Sequence, residues 1–489
     1  MTTGHHEKPQ PPTDRAGGTD GPTTADDFDI VILGGGSGGY ACALRAAQLG
    51  LSVALVEQDK LGGTCLHRGC IPTKALLHAA EVADAARESE AFGVRASFEG
   101  IDLPALHGYK DGVVTRLYKG LQGLVKAART TYVEGRGRLA APGVVEVELA
   151  GESGGTRTLR GRHVVLATGS SSRLLPGLAV GPRILTSDEA LRLEAEPERV
   201  IVLGGGVIGV EFASVLASFG AQVTIVEALP RLVPGEDEAV SAQLLRAFRK
   251  RGITSKTGVR FAEATEGPDG VTVRLESGES LEADLLLVAV GRGPRSEGLG
   301  YEEAGVHLDR GFVVTDERLR TNVEGVRAVG DLVPGLQLAH RGFAHGIFVA
   351  EDIAGLDPVP VRDEIIPRVT YCDPEIASVG LTEAAARERY GEVSTVEYNL
   401  GGNGRSQILR TAGFVKLVRR GGDAERGPVV GVHMIGGRMG EQVGEAQLVV
   451  AWEALPDEVA QLLHAHPTQN ESLGEAHLAL AGKPLHSHP

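Results

Sequence analysis

Cysteine, aromatic residues and basic charge are all scarce in this chain of 489 residues. It contains 4 Cys and 1 Trp, and Phe, Trp and Tyr together make up 4%. Four cysteines are too few for a disulfide framework, so the fold must rest on hydrophobic cores. Lys and Arg number 49 against 64 Asp and Glu, which gives a net charge of −15. An acidic surface repels phosphate backbones, so we expect no nucleic-acid partner.

Long apolar runs are also missing. No run approaches the roughly 20 residues that a membrane-spanning helix needs. The N-terminus lacks the basic and apolar segments of a secretory signal, so we expect a soluble, cytoplasmic protein without a membrane partner. Residues 1–27 are mostly Gly, Pro, Thr and Asp and are predicted to form a disordered tail. The remaining length is enough for about three domains.

Glycine, in contrast, is abundant, with 68 residues that cluster at the ends of apolar runs. The clustering reveals an internal repeat without a gap, in which an apolar strand, a Gly-rich turn, a helical segment and a second strand end at a Glu. Residues 30–57 read IVILGGGSGGYACALRAAQLGLSVALVE, and residues 200–227 read VIVLGGGVIGVEFASVLASFGAQVTIVE. The repeat predicts two α/β units, each with a parallel sheet.

Both copies carry the spacing Gly-x-Gly-x-x-Gly that is typical of dinucleotide sites. One glycine makes the tight turn, one admits a pyrophosphate and one allows close helix–strand packing, while the helix N-terminus attracts phosphate. The acid that follows can bind ribose hydroxyls, and in the second copy it favours NAD over NADP. Arg231, four residues after that acid, is expected to be a solvated surface charge. The residues are Gly34, Gly36, Gly39 and Glu57, and Gly204, Gly206, Gly209 and Glu227.

Cys65 and Cys70 follow the first copy in the motif GGTCLHRGCIPTK. Residues five apart on a regular helix have Cα atoms about 8–9 Å apart, which is too far for a disulfide. A bonded pair therefore requires a distortion of the helix, which Gly69 permits. Pro72 suits a first helical turn, which places Cys70 at a helix start where the dipole favours a thiolate. Redox chemistry is therefore favoured over a structural disulfide, two inert thiols or a metal site, for which His67 is the one nearby candidate ligand. We expect no metal.

Other patterns predict further elements and the domain boundaries. Apolar residues at helical spacing predict an amphipathic helix over residues 113–125, with Val114, Leu117, Leu121 and Leu124 on one face. Alternation predicts a strand over residues 144–149, and short apolar runs that close on Gly predict strands over residues 163–167, 285–290 and 326–329. Cys42 and Cys372 are interpreted as ordinary buried residues. Boundaries are expected near residues 180, 300 and 362.

A possible acid–base pair lies near the C-terminus in the motif HAHPTQNE, which begins at His464. A histidine titrates in the range needed to accept a thiol proton, and a carboxylate such as Glu471 can orient His466. Thr468 and Glu471 also match a helix capping box. The spacing alone leaves the catalytic and the capping interpretation open, and the two can hold together.

From Asp29 to about Pro484 the chain resembles the pyridine nucleotide–disulfide oxidoreductases. The resemblance rests on GGTCLHRGCIPTK, HAHPTQNE and the AVGD segment at residues 328–331. It implies an α/β fold with two Rossmann-like dinucleotide-binding domains and a C-terminal α+β dimerisation domain. Residues 28–180 and 301–361 would bind FAD, residues 181–300 would bind NAD, and residues 362–489 would form the interface of a homodimer.

The same resemblance implies roles for individual residues. Cys65 would exchange with the substrate thiol and Cys70 would face the flavin. His466, oriented by Glu471, would be the base in the active site of the other subunit. Lys74, paired with Glu211, would lie beside the flavin. Further cofactor contacts are implied for Thr64, Thr168, Gly169, Gly291, Asp331 and Ala339.

Within the family, the HAHPT segment is most similar to the branch that oxidises protein-bound dihydrolipoamide with NAD⁺. The implied partner is the lipoyl domain of the acyltransferase component of a 2-oxo acid dehydrogenase complex. One alternative is a reductase of glutathione disulfide or mycothione disulfide, against which Glu227 and HAHPT weigh. Mercuric reductase and large thioredoxin reductase carry a C-terminal cysteine or selenocysteine pair, whereas this chain ends in GKPLHSHP. A different alternative is a non-catalytic flavoprotein that serves as a scaffold. Such a protein would not need all the residues of the reaction, and this chain has them all.

Four segments near the expected active centre depart from the family pattern. They are His67, Arg68, Arg341–Phe343 and Gln469–Asn470. The substrate is therefore less firmly predicted than the class of reaction.

Overall fold

A computed structural model describes residues 26–151, 154–422 and 426–486. Residues 1–25 of the predicted tail lie outside this range. The tail prediction is wrong for its last two residues, because the Asp26 carboxylate binds Arg157 at 2.7 Å and Asp27 begins the first strand. Among the helices of these ranges, none is long and apolar enough to cross a bilayer.

The first copy of the repeat folds as predicted into a strand, a glycine turn, a helix and a second strand, and the strands predicted at 144–149 and 163–167 are confirmed. A turn of 3-10 helix lies at Ser89–Phe92. The other elements up to residue 172 are β1 (Asp27–Leu33), α1 (Ser37–Gln48), β2 (Val53–Glu57), α2 (Gly63–Arg68), α3 (Cys70–Arg87), α4 (Leu103–Ala127), β3 (Thr131–Ala141), β4 (Val144–Leu149), β5 (Thr156–Leu166) and β6 (Ser170–Ser172).

The second copy repeats the pattern and adds an antiparallel extension. The strand predicted over residues 285–290 is present and ends two residues earlier. The elements are β7 (Ile184–Leu185), α5 (Ser187–Ala190), β8 (Arg199–Leu203), α6 (Val207–Phe219), β9 (Gln222–Glu227), α7 (Glu238–Lys250), β10 (Thr254–Thr257), β11 (Phe261–Glu266), β12 (Val271–Leu275), β13 (Ser280–Ala283), β14 (Leu285–Val288) and β15 (Arg292–Pro294).

The rest of the chain returns to the first unit and then forms a third one. The predicted strand at 326–329 is confirmed as β18 below, and three short 3-10 segments lie at Gly330–Leu332, Asp363–Ile365 and Leu400–Gly402. The other elements are β16 (Leu308–Asp309), β17 (Phe312–Val313), β18 (Val326–Ala328), α8 (Ala339–Ile353), β19 (Arg368–Thr370), β20 (Glu375–Gly380), α9 (Glu383–Tyr390), β21 (Val393–Asn399), α10 (Gly404–Leu409), β22 (Phe414–Arg420), β23 (Val429–Gly436), α11 (Met439–Ala451), α12 (Pro456–Val459) and α13 (Glu471–Leu480).

Three larger sheets, of five or six strands each, organise the elements of the described ranges. The first has the parallel order β3-β2-β1-β5-β18, and β4 joins β3 to β5 as an antiparallel ribbon. The second has the parallel order β10-β9-β8-β14-β7, while the third is antiparallel, β19-β20-β23-β22-β21. Because β18 completes the first sheet, the first unit is assembled from two separate stretches of chain. The predicted class, two Rossmann-like α/β units and an α+β unit, is confirmed.

Backbone contacts explain the glycines of the first turn. Gly34 has φ +103°, and a Cβ there would lie 2.3 Å from the Ala167 carbonyl oxygen. A Cβ on Gly39 would lie 1.8 Å from the carbonyl oxygen of Gly34, so strand and helix approach more closely than any side chain permits. In the second copy Gly204 and Gly209 repeat both contacts, at 2.3 Å and 1.9 Å. The space beside Gly36 and Gly206 is free of close contacts. A turn that receives a phosphate requires such a space.

The helix predicted over residues 113–125 is confirmed within α4, but only one of the four residues predicted for its apolar face is buried. Leu121 is buried, whereas Leu117 and Leu124 are exposed by 47% and 58%. The buried residues of α4 are Leu106, Lys110, Leu121 and Val125. At about 100° per residue the predicted and the buried residues fall on overlapping arcs of the helix, so the difference lies in which turns of α4 are covered by α1, α2 and α3.

We predict that Gly39→Ala lowers the free energy of unfolding by about 3 kcal/mol or more, because its methyl group would overlap the Gly34 carbonyl oxygen. The matched control is Gly120→Ala on the exposed side of α4, where nothing lies within 4 Å of the added Cβ. That change should stabilise the helix by about 0.5–1 kcal/mol. The thermal unfolding midpoints of both variants test this, and an unchanged midpoint for Gly39→Ala would contradict the packing argument.

Candidate active site

A cavity of about 1020 Å³ runs along the first glycine turn to the cysteine pair and the edge of the second unit. Parts of α8 and of the C-terminal unit complete its wall. The sequence-predicted site residues that line it are Gly34, Gly36, Glu57, Thr64, Cys65, Cys70, Lys74, Thr168, Gly169, Glu211, Asp331 and Ala339. The cavity therefore gathers residues that are spread over about 300 positions of the chain.

The helical segment that carries the two cysteines is interrupted at Gly69, where a distortion is predicted. Gly69 separates α2 from α3, and a Cβ there would lie 3.0 Å from the Thr64 carbonyl oxygen, which is closer than most side chains approach a carbonyl. Cys70 is the first residue of α3, as predicted. Cys65 and Cys70 are free cysteines, and each is the strongest influence on the pKa of the other.

The environment assigns the negative charge to Cys70. The hydrogen bond from the Cys65 thiol lowers the pKa of Cys70 to about 7, with help from the nearby Lys74 ammonium and against the effect of burial. The same hydrogen bond, together with burial, raises the pKa of Cys65. The pair therefore holds one proton on Cys65 and presents a thiolate at Cys70 near neutral pH.

Lys74 joins the cysteine helix to the other two units. Its Nζ lies 2.8 Å from Glu211 Oε2 on α6, as predicted, and 4.9 Å from the centre of the Tyr371 ring. Glu211 Oε1 also accepts a hydrogen bond from the Tyr371 amide at 2.9 Å. Burial disfavours the charged ammonium, but Glu211 more than offsets this, so the pKa of Lys74 is raised. The cation beside Cys70 is therefore held in place and stays charged.

A polar network in the cavity wall includes Arg292, which no sequence pattern singles out. Arg292 donates to the Ser170 hydroxyl at 2.8 Å and reaches Thr64 Oγ1 at 3.5 Å. Ser170 in turn donates to Asp331 at 2.6 Å. Burial lowers the pKa of Arg292 against the opposing effect of Asp331. Its only signal in the sequence is its place directly after Gly291, which is too weak to single it out.

Thr168 lines the cavity but uses its hydroxyl elsewhere. Its Oγ1 donates to the Arg295 carbonyl oxygen at 2.6 Å and lies 3.0 Å from the Tyr301 hydroxyl. Gly291 is not part of the cavity wall. Its φ of +110° serves the turn between β14 and β15.

The acids after the glycine turns also hold those turns. Glu57 accepts a hydrogen bond from the Gly35 amide at 2.8 Å, and Glu227 accepts one from the Gly205 amide at 2.6 Å.

The interpretation of Arg231 as a solvated charge is wrong. Its guanidinium donates to the carbonyl oxygens of Pro234 and Glu236 at 2.8 Å and 2.7 Å, so it ties down its own turn. That bonding leaves Glu227 as the charged group at the end of β9.

The predicted pair His466 and Glu471 is formed, with Nδ1 and Oε1 2.8 Å apart. Glu471 Oε2 accepts from the Thr468 amide at 2.7 Å, but the Thr468 hydroxyl donates to the Ala465 carbonyl oxygen and α13 begins only at Glu471. The reciprocal capping box is therefore not formed, and the carboxylate serves both the histidine and a backbone amide. The His466 side chain is 78% exposed and is absent from the wall of the cysteine cavity of its own chain.

The remaining thiols and the two departures beside the cysteines have structural explanations. Cys42 and Cys372 are buried, as predicted, and burial raises the pKa of Cys42 to about 12. His67 Nε2 lies 2.7 Å from the Leu61 carbonyl oxygen, and its ring packs edge-on against Tyr118, so the side chain holds the loop before α2. Arg68 binds Asp59 at 2.7 Å and lies 3.9 Å from Asp188, so it is paired rather than simply solvated.

Curated relatives match nearly the whole chain. It is 40% identical to the dihydrolipoyl dehydrogenase of Bacillus subtilis, over 94% of this chain and 100% of the relative. The dihydrolipoyl dehydrogenase of Chlorobaculum tepidum is 39% identical, over 93% and 97% of the two chains. The leghemoglobin reductase of Glycine max is 37% identical, over 95% and 89%.

Solved structures and family profiles agree with this. LpdA from Mycobacterium tuberculosis superposes with a TM-score of 0.85 at 28% identity, over 92% of this chain and 99% of that chain. The HOCl-induced flavoprotein disulfide reductase RclA from Escherichia coli gives 0.83 at 26%, over 93% and 99%. Residues 28–346 match the pyridine nucleotide-disulphide oxidoreductase profile, and residues 366–477 match the dimerisation domain of that family. The chain therefore belongs to the pyridine nucleotide-disulphide oxidoreductase family.

Proposed function

We propose that the protein oxidises dihydrolipoamide to lipoamide with NAD⁺, which is the activity that gives its dihydrolipoyl dehydrogenase relatives their name. The observation that carries the proposal is the cysteine pair. Cys70, with its pKa lowered to about 7, stands at the head of α3 in the same cavity as a dinucleotide-type glycine turn. A dithiol substrate, a protein disulfide and a dinucleotide can therefore meet in one place.

The residues of the cavity fit FAD. A volume of about 1020 Å³ exceeds that of a usual small-ligand pocket, and its wall includes both the N-terminus of α1 and Lys74. Gly34, Gly36, Gly39 and Glu57 would hold the adenosine diphosphate half. The implied contacts toward the rest of the group are Thr64, Lys74, Thr168, Gly169, Asp331 and Ala339.

The second glycine turn fits NAD. Gly204, Gly206 and Gly209 repeat the geometry of the first turn, and Glu227 would accept hydrogen bonds from the ribose hydroxyls. A 2′-phosphate would meet the carboxylate of Glu227, while Arg231 is engaged with its own turn. Glu211, on the helix α6 that follows this turn, lines the cysteine cavity. Gly291 lies in the turn between β14 and β15. On these grounds we assign residues 28–180 and 301–361 to FAD and residues 181–300 to NAD.

The pKa difference between the cysteines decides which sulfur the substrate attacks and which one leaves. A thiolate of dihydrolipoamide attacks Cys65 Sγ of the oxidised pair, the Cys65–Cys70 bond breaks, and Cys70 departs as a thiolate. The thiol with the lower pKa is the better leaving group, and Lys74 and the start of α3 stabilise its charge. The second substrate thiol then attacks the mixed disulfide and releases Cys65, which leaves lipoamide oxidised and the cysteine pair reduced.

Proton transfer needs a base, and the exposed His466 does not line the cavity of its own chain. We propose that His466 of the partner subunit accepts the proton of the substrate thiol, with Glu471 beside it holding the ring and stabilising its cation.

When bound, FAD would supply two-electron redox chemistry and NAD⁺ would accept a hydride. The protein forms a homodimer through the dimerisation domain, and we assign residues 362–489 to it.

The biological substrate that we propose is a lipoyl group on the lipoyl domain of an acyltransferase component. The protein would then be the dehydrogenase component of a 2-oxo acid dehydrogenase complex. A redox-cycling cysteine pair and a low cysteine content suit a reducing compartment, so we propose a cytoplasmic location.

The proposed function predicts rapid NADH formation when the purified protein meets dihydrolipoamide and NAD⁺ without oxygen. Formation should be absent with NADP⁺ because of Glu227. Cys70→Ser should retain FAD but lose turnover, since the exchange disulfide cannot form. NADH oxidation with glutathione disulfide, in place of dihydrolipoamide turnover, would move the function to a different disulfide.

A second prediction concerns the charge at Cys70. A thiolate forms as pH rises through its pKa, so alkylation of Cys70 by iodoacetamide, followed by mass spectrometry, should be half-maximal near pH 7 in the reduced protein. Lys74→Met should move this midpoint upward by about one pH unit or more, because the stabilising cation is lost. Lys119→Met, on the exposed side of α4, should leave it unchanged. An unmoved midpoint in Lys74→Met would exclude Lys74 as the stabilising group.

A third prediction concerns the base. His466→Gln should lower kcat for dihydrolipoamide oxidation by about 10²–10⁴-fold, which is the usual contribution of a general base. Oxidation of NADH by ferricyanide should persist, because no substrate thiol is deprotonated in that reaction. A normal rate with dihydrolipoamide would restrict Glu471 to its backbone role and remove His466 from the mechanism.

A further inference from the structure

The segment 464–470 carries His466 between α12 and α13, and is called the His466 loop below. The imidazole is 78% exposed, and its hydrogen bond within the chain is to Glu471 Oε1. A side chain that projects from its own subunit takes its position from the backbone that carries it. What holds the His466 loop therefore decides where the ring stands.

Glu445, in the middle of α11, binds both sides of the His466 loop. Its Oε1 lies 2.7 Å from His464 Nε2, and its Oε2 accepts a hydrogen bond from the Asn470 side-chain amide. One carboxylate thus joins the residue two positions before His466 to the residue four positions after it. The hydrogen bond to Glu445 also raises the pKa of His464, which favours an ion pair at this contact.

Two further contacts restrain the same loop. Gln469 is buried, donates to the Gly437 carbonyl oxygen at 2.7 Å and accepts from the Ser406 hydroxyl at 2.7 Å. The buried Asn403 donates to the Thr468 carbonyl oxygen at 3.0 Å. The departure Gln469–Asn470 from the family pattern is therefore part of the restraint in this chain.

The His464 ring is seated between two helices. A Cβ on Gly474, one turn into α13, would lie 2.5 Å from His464 Nδ1. The His464 side chain is only 11% exposed, in contrast to His466. The packing on α13 and the carboxylate on α11 together leave His464 one position.

We infer that Glu445 is a positioning residue for the base: it acts through His464 and Asn470 to set the His466 ring toward the partner subunit's cavity. The inference rests on the proposed function, in which His466 is the base. A displacement of about 1 Å in a reacting group can lower a rate by about 10²-fold. The contacts of Glu445 lie in the His466 loop, so its effect should be confined to the step that His466 serves.

The test uses Glu445→Gln in the full-length flavin-loaded dimer. A glutamine keeps the shape but loses the charge and cannot accept hydrogen bonds with both terminal atoms. We expect kcat for dihydrolipoamide oxidation to fall by about 10-fold or more, with KM for NAD⁺ and NADH oxidation by ferricyanide unchanged. The control Glu441→Gln, on the exposed first turn of α11, should be normal in both reactions. Loss of both reactions in Glu445→Gln would show a general structural role and overturn the inference.

A double variant separates positioning from other effects. If Glu445 acts through His466, adding Glu445→Gln to His466→Gln should cause no further loss of kcat. An additive loss would overturn the inference. A normal rate for Glu445→Gln beside an impaired His466→Gln would overturn the inference and leave the proposed function intact. A normal rate for His466→Gln itself would instead overturn the proposed base.

Asn470→Ala gives an independent measurement should Glu445→Gln fail to fold. It removes one of the two contacts of Glu445 and leaves the charge and the His464 contact. We expect a smaller loss of kcat with dihydrolipoamide, again with the ferricyanide reaction unchanged. A full rate for Asn470→Ala would exclude the C-terminal half of this restraint and with it the inference.

Discussion

Close backbone approach at the first glycine turn is the constraint on which the site depends. Gly39 lies directly on the Gly34 carbonyl, which brings the start of α1 to the end of β1. A Cβ on Gly63 would lie 2.7 Å from the Gly36 Cα, so the cysteine segment rests on the same turn. The phosphate-binding geometry and the position of the cysteine pair are therefore set by one set of contacts that admits no side chains.

The interruption of the helix at Gly69 gives Cys70 its chemical environment. It begins a new helix at Cys70, so that the thiol with the lowered pKa stands at a helix start and beside Lys74. Glu211 of the second unit fixes Lys74, and the Tyr371 amide of the C-terminal unit fixes Glu211. All three units are thus joined at the point where electrons would pass from thiol to cofactor.

The acid–base end is built in a different way. His466 stands at the surface of its own chain, and the loop that carries it is held by Glu471, Glu445 and the buried Gln469. A rigid loop that presents an exposed base suits an active site completed across a dimer interface, because the ring must reach another subunit without support from it. The membership of the C-terminal unit in the dimerisation domain of the family is consistent with this.

The sequence by itself determined the two α/β units, the glycine turns and the cysteine helix start, because these follow from short-range spacing and from backbone geometry that glycine alone permits. Pairing of Lys74 with Glu211 was reached through family resemblance, since the two residues are 137 positions apart. Only the tertiary structure decided which residues of α4 are buried, where the Arg231 guanidinium binds, that Arg292 lines the cavity, and that Glu445 contacts the His466 loop. Each of these depends on a contact between residues whose chemistry is ordinary, and a side chain of ordinary chemistry acquires its role only from the neighbours that the fold places around it.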